Sequence, residues 1–173
     1  TFSRADKWIL TRLNEIIQLA EKHDKRVAID GRSMRTNIEI ARRLGYMKIN
    51  PAIMIDPTEV KDFPKNKIII LVTGAQGEEN AVLMRIVSKR HKVLKIESGD
   101  TVVFSSSVIP GNERQVQYLT DKLYRDGADV INYRMLDIHA GGHAKQEDLK
   151  LLIQTVRPKY LMPIEGNHSF LKI

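Results

Sequence analysis

Lys67–Glu78 reads KIIILVTGAQGE, and this stretch decides the fold class. A run of apolar, mostly β-branched residues without polar alternation is the pattern of a parallel strand buried on both faces. Lys67–Val72 is therefore expected as a central strand. The glycines after it turn the chain off the strand's C-terminal end, toward a helix around Ala81–Val87. At such a turn backbone N–H groups can approach an anion at the helix N-terminus. The loop is neither a Walker A sequence nor GxGxxG, and a tight turn needing glycine only for its backbone geometry accounts for it as well.

Working outward from this strand, the same alternation recurs on both sides. Upstream, Ser3 with Asp6 reads as a cap pair for a helix carrying Ile9, Leu13, Ile16, Ile17 and Ala20 at helical spacing and ending near His23–Asp24. Arg26–Asp30 (RVAID) reads as a short strand bounded by Gly31. Ser33 then caps a helix carrying Ile38, Ala41 and Leu44, stopped by Gly45. Pro51, Pro57 and Pro64 keep the next stretch irregular. Downstream, the basic run Arg85–Lys95 covers the helix after TGAQGE and a further short strand, and reads as a solvated face rather than a specific site. Thr101–Ser105 is expected as a buried strand leading into three serines and the turn IPGNE. Asn112 caps a helix with Val116, Leu119 and Leu123, stopped at Gly127, and Asp129–Asn132 is another short strand. Helix Lys145–Val156 and strand Lys159–Pro163 complete the pattern. These units predict an α/β fold: a Rossmann-like, mainly parallel sheet flanked by helices.

Composition sets wider bounds. The 173 residues suit one domain, or one domain with part of another, and 42% hydrophobic with 28% charged residues is ordinary for a globular protein. The formal net charge of +7 favours polyanionic partners. The absence of cysteine excludes disulfides, a thiolate nucleophile and Cys-ligated zinc, and suits the cytoplasm. No apolar run approaches the roughly 20 residues of a membrane span. The opening on Thr1 suggests a segment of a longer protein.

The chemistry-bearing residues cluster after predicted strands. In HAGGH, His139–His143, two imidazoles flank a glycine pair that lets a ligand approach the backbone, and such histidines can bind phosphate or protonate a leaving group. SSSVIPGNE (Ser105–Glu113) offers three hydroxyls and exposed N–H groups for phosphate oxygens, or is a turn with ordinary Ser and Asn capping. In GRSM (Gly31–Met34), Arg32 beside a helix start can bind phosphate or pair with an acidic neighbour. Glu165 and His168 in EGNHS could ligate a metal, but two ligands do not make a site.

Taken together, TGAQGE, SSSVIPGNE, DIHAGGHA and PKYLMPIEGN, with TF at the start and GRSM after the first strand, resemble the β-CASP region of ribonuclease J, a metallo-β-lactamase-type RNA nuclease. The resemblance covers nearly the whole chain. It implies that residues 1–136 are the β-CASP domain and that 137–173 begin the return into the metallo-β-lactamase domain. It implies an RNA hydrolase with 5′-to-3′ exonuclease and endonuclease action in RNA processing and decay, using two zinc or manganese ions to activate water. Its metal-binding HxHxDH cluster would lie outside this chain, so the segment alone would be inactive. By position, the resemblance makes His143 the catalytic histidine and His139, Ala140, Gly141, Gly142 and His143 the phosphate loop. Arg32, Ser33, Thr73, Gly74, Gln76, Gly77, Glu78, Ser105, Ser106, Ser107, Gly111 and Asn112 would line the RNA groove. Single-stranded RNA, the metallo-β-lactamase domain and further copies of the chain are the implied partners, with no membrane.

Two positions depart from the family pattern. Gly141 stands where the family has a serine. Glu165 stands where it has a metal-touching histidine, and a glutamate can ligate zinc or manganese through oxygen. These departures leave room for a catalytically weakened RNA-binding or partner subunit of an RNA-degradation complex. An unrelated flavodoxin-like nucleotide-binding domain is the third reading.

Overall fold

The computed structural model describes residues 4–132 and 146–161, with side chains from residue 9 onward. The chain divides into two compact units, Thr1–Ala140 and Gly141–Ile173. The expected boundary at 136/137 and the cap residue Ser3 fall outside the described residues.

In the first unit, helix α1 (Arg4–Lys22) buries Leu10, Leu13, Ile17 and Ala20. Their three- and four-residue spacing gives one apolar stripe. Ile9, expected on that stripe, is half exposed because it falls one residue, about 100°, off it. The helix ends where Asp24 takes a positive φ of 51° and the Lys25 N–H bonds back to the Ala20 carbonyl. Lys67 donates to the Asp24 carboxylate at 2.8 Å, tying this helix end to the 3-10 turn Lys65–Lys67. That hydrogen bond holds the Asp24 carboxyl below the usual carboxylate range.

Strand β1 (Arg26–Asp30) buries Val27, Ala28 and Ile29 in succession, so both of its faces are covered. It pairs in parallel with β2 (Met54–Ile55) on one side and β3 (Ile68–Val72) on the other. This corrects the expectation for KIIILV: β1 is central, and among the described residues β3 has a strand neighbour on one side only. Ile70 is accordingly 37% exposed. Apolar content shows that a strand packs, but strand order depends on distant pairing partners.

Helix α2 (Arg32–Arg43) packs Ile38 and Ala41 against α1 and β1. Its N-cap is Gly31, not Ser33, which lies inside the first turn and makes no capping bond. Gly45, at φ +75°, closes the helix as expected, with the Tyr46 N–H reaching the Ala41 carbonyl. Short 3-10 turns opened by Pro51 and Pro57 fill the irregular stretch, the second held by a capping box between Asp56 and Glu59.

A second parallel pair, β4 (Thr101–Val103) and β5 (Asp129–Ile131), brackets α4 (Glu113–Arg125). Leu119 and Leu123 of α4 are fully buried with Phe104, Val130 and residues of the short helix α3 (Val82–Val87). Strand β4 was expected as buried. Only Val102 of its three residues is half-buried, since a two-stranded sheet leaves the outward side chains to solvent. No strand forms within the basic run Arg85–Lys95. Val72 packs against this second core, and β3 therefore links the two.

In the second unit, α5 (Gln146–Val156) matches the expected helix. The strand expected over Lys159–Pro163 is absent across its described part, 159–161, where no partner strand supplies ladder hydrogen bonds. Among the described residues no helix is long and apolar enough to cross a membrane.

Candidate nucleic-acid interface

Parallel pairing brings strand ends to one edge, and here Asp30 stands in register with Val72. The segments that follow, Gly31–Met34 and Thr73–Glu78, are therefore neighbours. Their contact is tight: a Cβ on Gly31 would lie 2.8 Å from Thr73 Cγ2, and the Gly31 φ of +130° excludes most side chains as well. Arg32 and Ser33 open α2 at this edge, both exposed, and the first turn of α2 carries no acidic residue. A helix N-terminus with unpaired N–H groups and a neighbouring guanidinium attracts anions.

The TGAQGE loop differs from a direct strand-to-helix turn. Nine residues separate β3 from α3, and the loop folds on itself through Gly77 N–H to Gly74 O at 3.1 Å. The Leu83 N–H in the first turn of α3 is taken by the Thr73 carbonyl at 3.0 Å. That N–H is thus not offered to a ligand. Gly77, at φ +75°, packs so closely on α4 that a Cβ would meet the Gln115 backbone at 2.8 Å.

Gln76 joins this loop to SSSVIPGNE. Its Nε2 donates to the Ser107 carbonyl at 2.9 Å and lies 3.4 Å from Ser106 Oγ, while its Oε1 accepts from the Ile109 N–H at 2.9 Å. Asn112 Nδ2 also points at Oε1, at 3.5 Å. The reverse amide orientation would set oxygen against oxygen and N–H against N–H, so this one is required. Asn112 occupies the N-cap of α4 without a side-chain capping bond, and the Gly111 N–H is held by Glu113 at 2.8 Å. Thr73, Gln76, Ser105, Ser106, Ser107 and Asn112 are half-buried, and Glu78 and Gly111 are exposed. Gly74 is buried beneath them.

Two contributors escape sequence reading. Arg12 of α1 donates to the Ser105 carbonyl and lies 3.2 Å from its Oγ, reaching across 93 positions of chain. No local pattern signals that contact. His91 sits in the basic run Arg85–Lys95, whose charge pattern predicts a solvated face, yet its side chain is only 8% exposed. Its Nδ1 accepts the Leu94 N–H at 2.9 Å, which leaves Nε2 to donate to Asp30 at 2.9 Å. Arg35 lies 3.6 Å from the other Asp30 oxygen and donates to the Ile29 carbonyl at 2.7 Å. Asp30 is thus a charged node directly beneath GRSM.

The edge can hold phosphate groups by hydroxyls, backbone N–H groups and a guanidinium. Among the described residues no three His, Asp or Glu side chains converge, so they do not fit a two-ion centre. His139, Ala140, Gly141, Gly142, His143 and Glu165 lie outside the described residues.

Comparisons with known proteins point to one family. The family described as "Ribonuclease J, beta-CASP domain" matches residues 7–123. The chain is 42% identical over 160 residues to Ribonuclease J of Synechocystis sp., covering 92% of this chain and 25% of the relative. It is 41% identical over 155 residues to Ribonuclease J of Thermus thermophilus, covering 90% and 27%. With Ribonuclease J2 of Bacillus subtilis it shares 38% identity over 163 residues, covering 94% and 29%. The chain therefore spans between 25% and 29% of the length of these relatives.

Proposed function

The chain belongs to the ribonuclease J β-CASP family, and from that premise we propose that it is the RNA-holding part of a metal-dependent RNA hydrolase with 5′-to-3′ exonuclease and endonuclease action. The observation that carries this reading is that GRSM and TGAQGE adjoin at one strand edge, with Arg32 and the acid-free start of α2 there, while Gln76 ties SSSVIPGNE, which follows a strand of the second sheet, onto TGAQGE. A single-stranded RNA backbone would lie along GRSM, TGAQGE and SSSVIPGNE, its phosphates held without reading of base identity. In this reading Gln76 and Asp30 position the loops, while Arg32, Ser33, Thr73 and the serines meet phosphate. His139–His143 supply the last phosphate contacts and His143 gives a proton to the leaving oxygen.

Two zinc or manganese ions belong to this proposal, with ligands from residues outside those described, Glu165 among them. They would supply the activated water. The segment by itself would bind RNA and not cleave it, working in the cytoplasm as part of a larger, oligomeric protein. His143→Ala in the intact protein tests the role directly. RNA cleavage is expected to be lost while the thermal melt stays unchanged, and wild-type cleavage by the variant at saturating Mn²⁺ refutes the assignment. Gly141 and Glu165 favour one second reading, a partner subunit that binds RNA and cleaves weakly. It predicts wild-type RNA binding with negligible cleavage before any substitution is made.

A further inference from the structure

One face of α4 carries Arg114, Tyr118, Lys122 and Arg125. Steps of four, four and three residues keep these side chains within about 80° of one another around the helix. Facing them is the turn after α3, which carries Ser88, Lys89 and Arg90. Two adjoining depressions lie between, of about 450 Å³ and about 320 Å³, sharing Ser88 as a common wall. Arg90 and Arg114 line the first, and Lys89, Lys122 and Arg125 the second. Among the described residues that line the two depressions, the acidic ones are Glu79 and Asp126. None of the five forms an ion pair among the described residues. Arg90 reaches only the Glu79 main-chain carbonyl, at 3.2 Å. Unpaired cations held along one trough repel each other, and the arrangement is relieved by a polyanion.

The trough begins at the proposed phosphate loops. Gly77, the last glycine of TGAQGE, lines its first depression together with Gln115. Tyr118 is 53% exposed, and its ring lies 5.3 Å from Lys122 Nζ. An exposed ring flanked by cations is the stacking platform that single-stranded nucleic acid uses. From Arg114 to Arg125 the helix advances about 16 Å, and one strand at a stacked spacing of about 3.4 Å would fill it with roughly five nucleotides.

We infer that the α3–α4 trough is an extension site for single-stranded RNA, holding the strand beyond the loops by phosphate contacts to its cations and stacking on Tyr118. This inference rests on the reading that the loops bind RNA, and it adds a length-dependent arm that the loops by themselves lack. A double-stranded helix is disfavoured, because an exposed ring has no unpaired base to stack on.

The test uses the intact protein and fluorescent RNAs of 6 and 20 uridines, with EDTA present so that binding is read without turnover. Lys122→Glu/Arg125→Glu is compared with Lys122→Gln/Arg125→Gln, which removes charge without reversing it, and with the charge-preserving Lys122→Arg/Arg125→Lys. With the charge-reversed protein the 20-mer is expected to bind about tenfold more weakly, and its log-log salt slope to fall by about 1.4, two phosphate contacts at about 0.7 each. The glutamine pair gives a smaller loss, the charge-preserving pair binds like wild type, and the 6-mer is unaffected throughout. Unchanged 20-mer binding, or equal weakening of both lengths, overturns the trough while leaving the loops intact. Failure of the wild-type protein to bind either RNA overturns the loop reading and this inference with it.

Discussion

Replacing Gln76 probes whether the candidate interface is one assembled surface or three unrelated turns. Gln76→Ala removes two well-formed hydrogen bonds, to the Ser107 carbonyl and from the Ile109 N–H, both at 2.9 Å, along with longer contacts to Ser106 and Asn112. Each good bond contributes about 0.5–1.5 kcal/mol net. Ile109 is 56% exposed, so water takes over part of the loss. The closure of SSSVIPGNE onto TGAQGE should weaken by about 1–2 kcal/mol, a factor of roughly 5 to 30. Hydrogen exchange by mass spectrometry reads this without RNA: the peptide spanning 105–112 should lose protection by that factor while β1 peptides stay unchanged. RNA affinity should fall by a similar factor. Gln76→Glu keeps an acceptor for Ile109 but sets a carboxylate oxygen against the Ser107 carbonyl, and its loss should exceed that of alanine. Unaltered exchange across 105–112 in both variants would refute the clasp, and equal RNA binding would refute its bearing on function.

Gly77→Ala should destabilise the fold by about 2–4 kcal/mol, combining a left-handed φ on a residue with a Cβ and a clash with the Gln115 backbone at 2.8 Å. A urea midpoint equal to wild type would count against the close packing of loop on α4. The exposed Lys65–Glu97 pair has a defined pH window. The hydrogen bond to Lys65 lowers the Glu97 pKa, and the same bond raises that of Lys65. The glutamate's contribution is present above the ordinary carboxylate range and lost as pH falls through its lowered value. The lysine's contribution is present below the ordinary lysine range and lost as pH rises through its raised value. An NMR titration placing the Glu97 midpoint at or above the usual glutamate range would show that the pair does not form.

What the sequence by itself determined is whatever short-range periodicity and backbone chemistry dictate. The apolar stripe of α1, the β-branched run of β3, and the glycine stops at Gly45 and Gly127 depend on residues within a few positions of one another. The α/β class followed from their alternation, and the loops TGAQGE and SSSVIPGNE stood out because their glycines and serines fall just past strands. Tertiary structure decided everything that rests on distant partners. It put RVAID rather than KIIILV at the centre of the three-stranded sheet, because centrality comes from having a neighbour on each edge. It turned His91 inward to Asp30 across 61 positions and sent Arg12 to Ser105 across 93. It also made Gln76 the clasp between two loops and aligned the α4 cations opposite the turn after α3. Such contacts are set by the packing of whole elements, and no local spacing encodes which side chain will meet another after the chain has closed on itself.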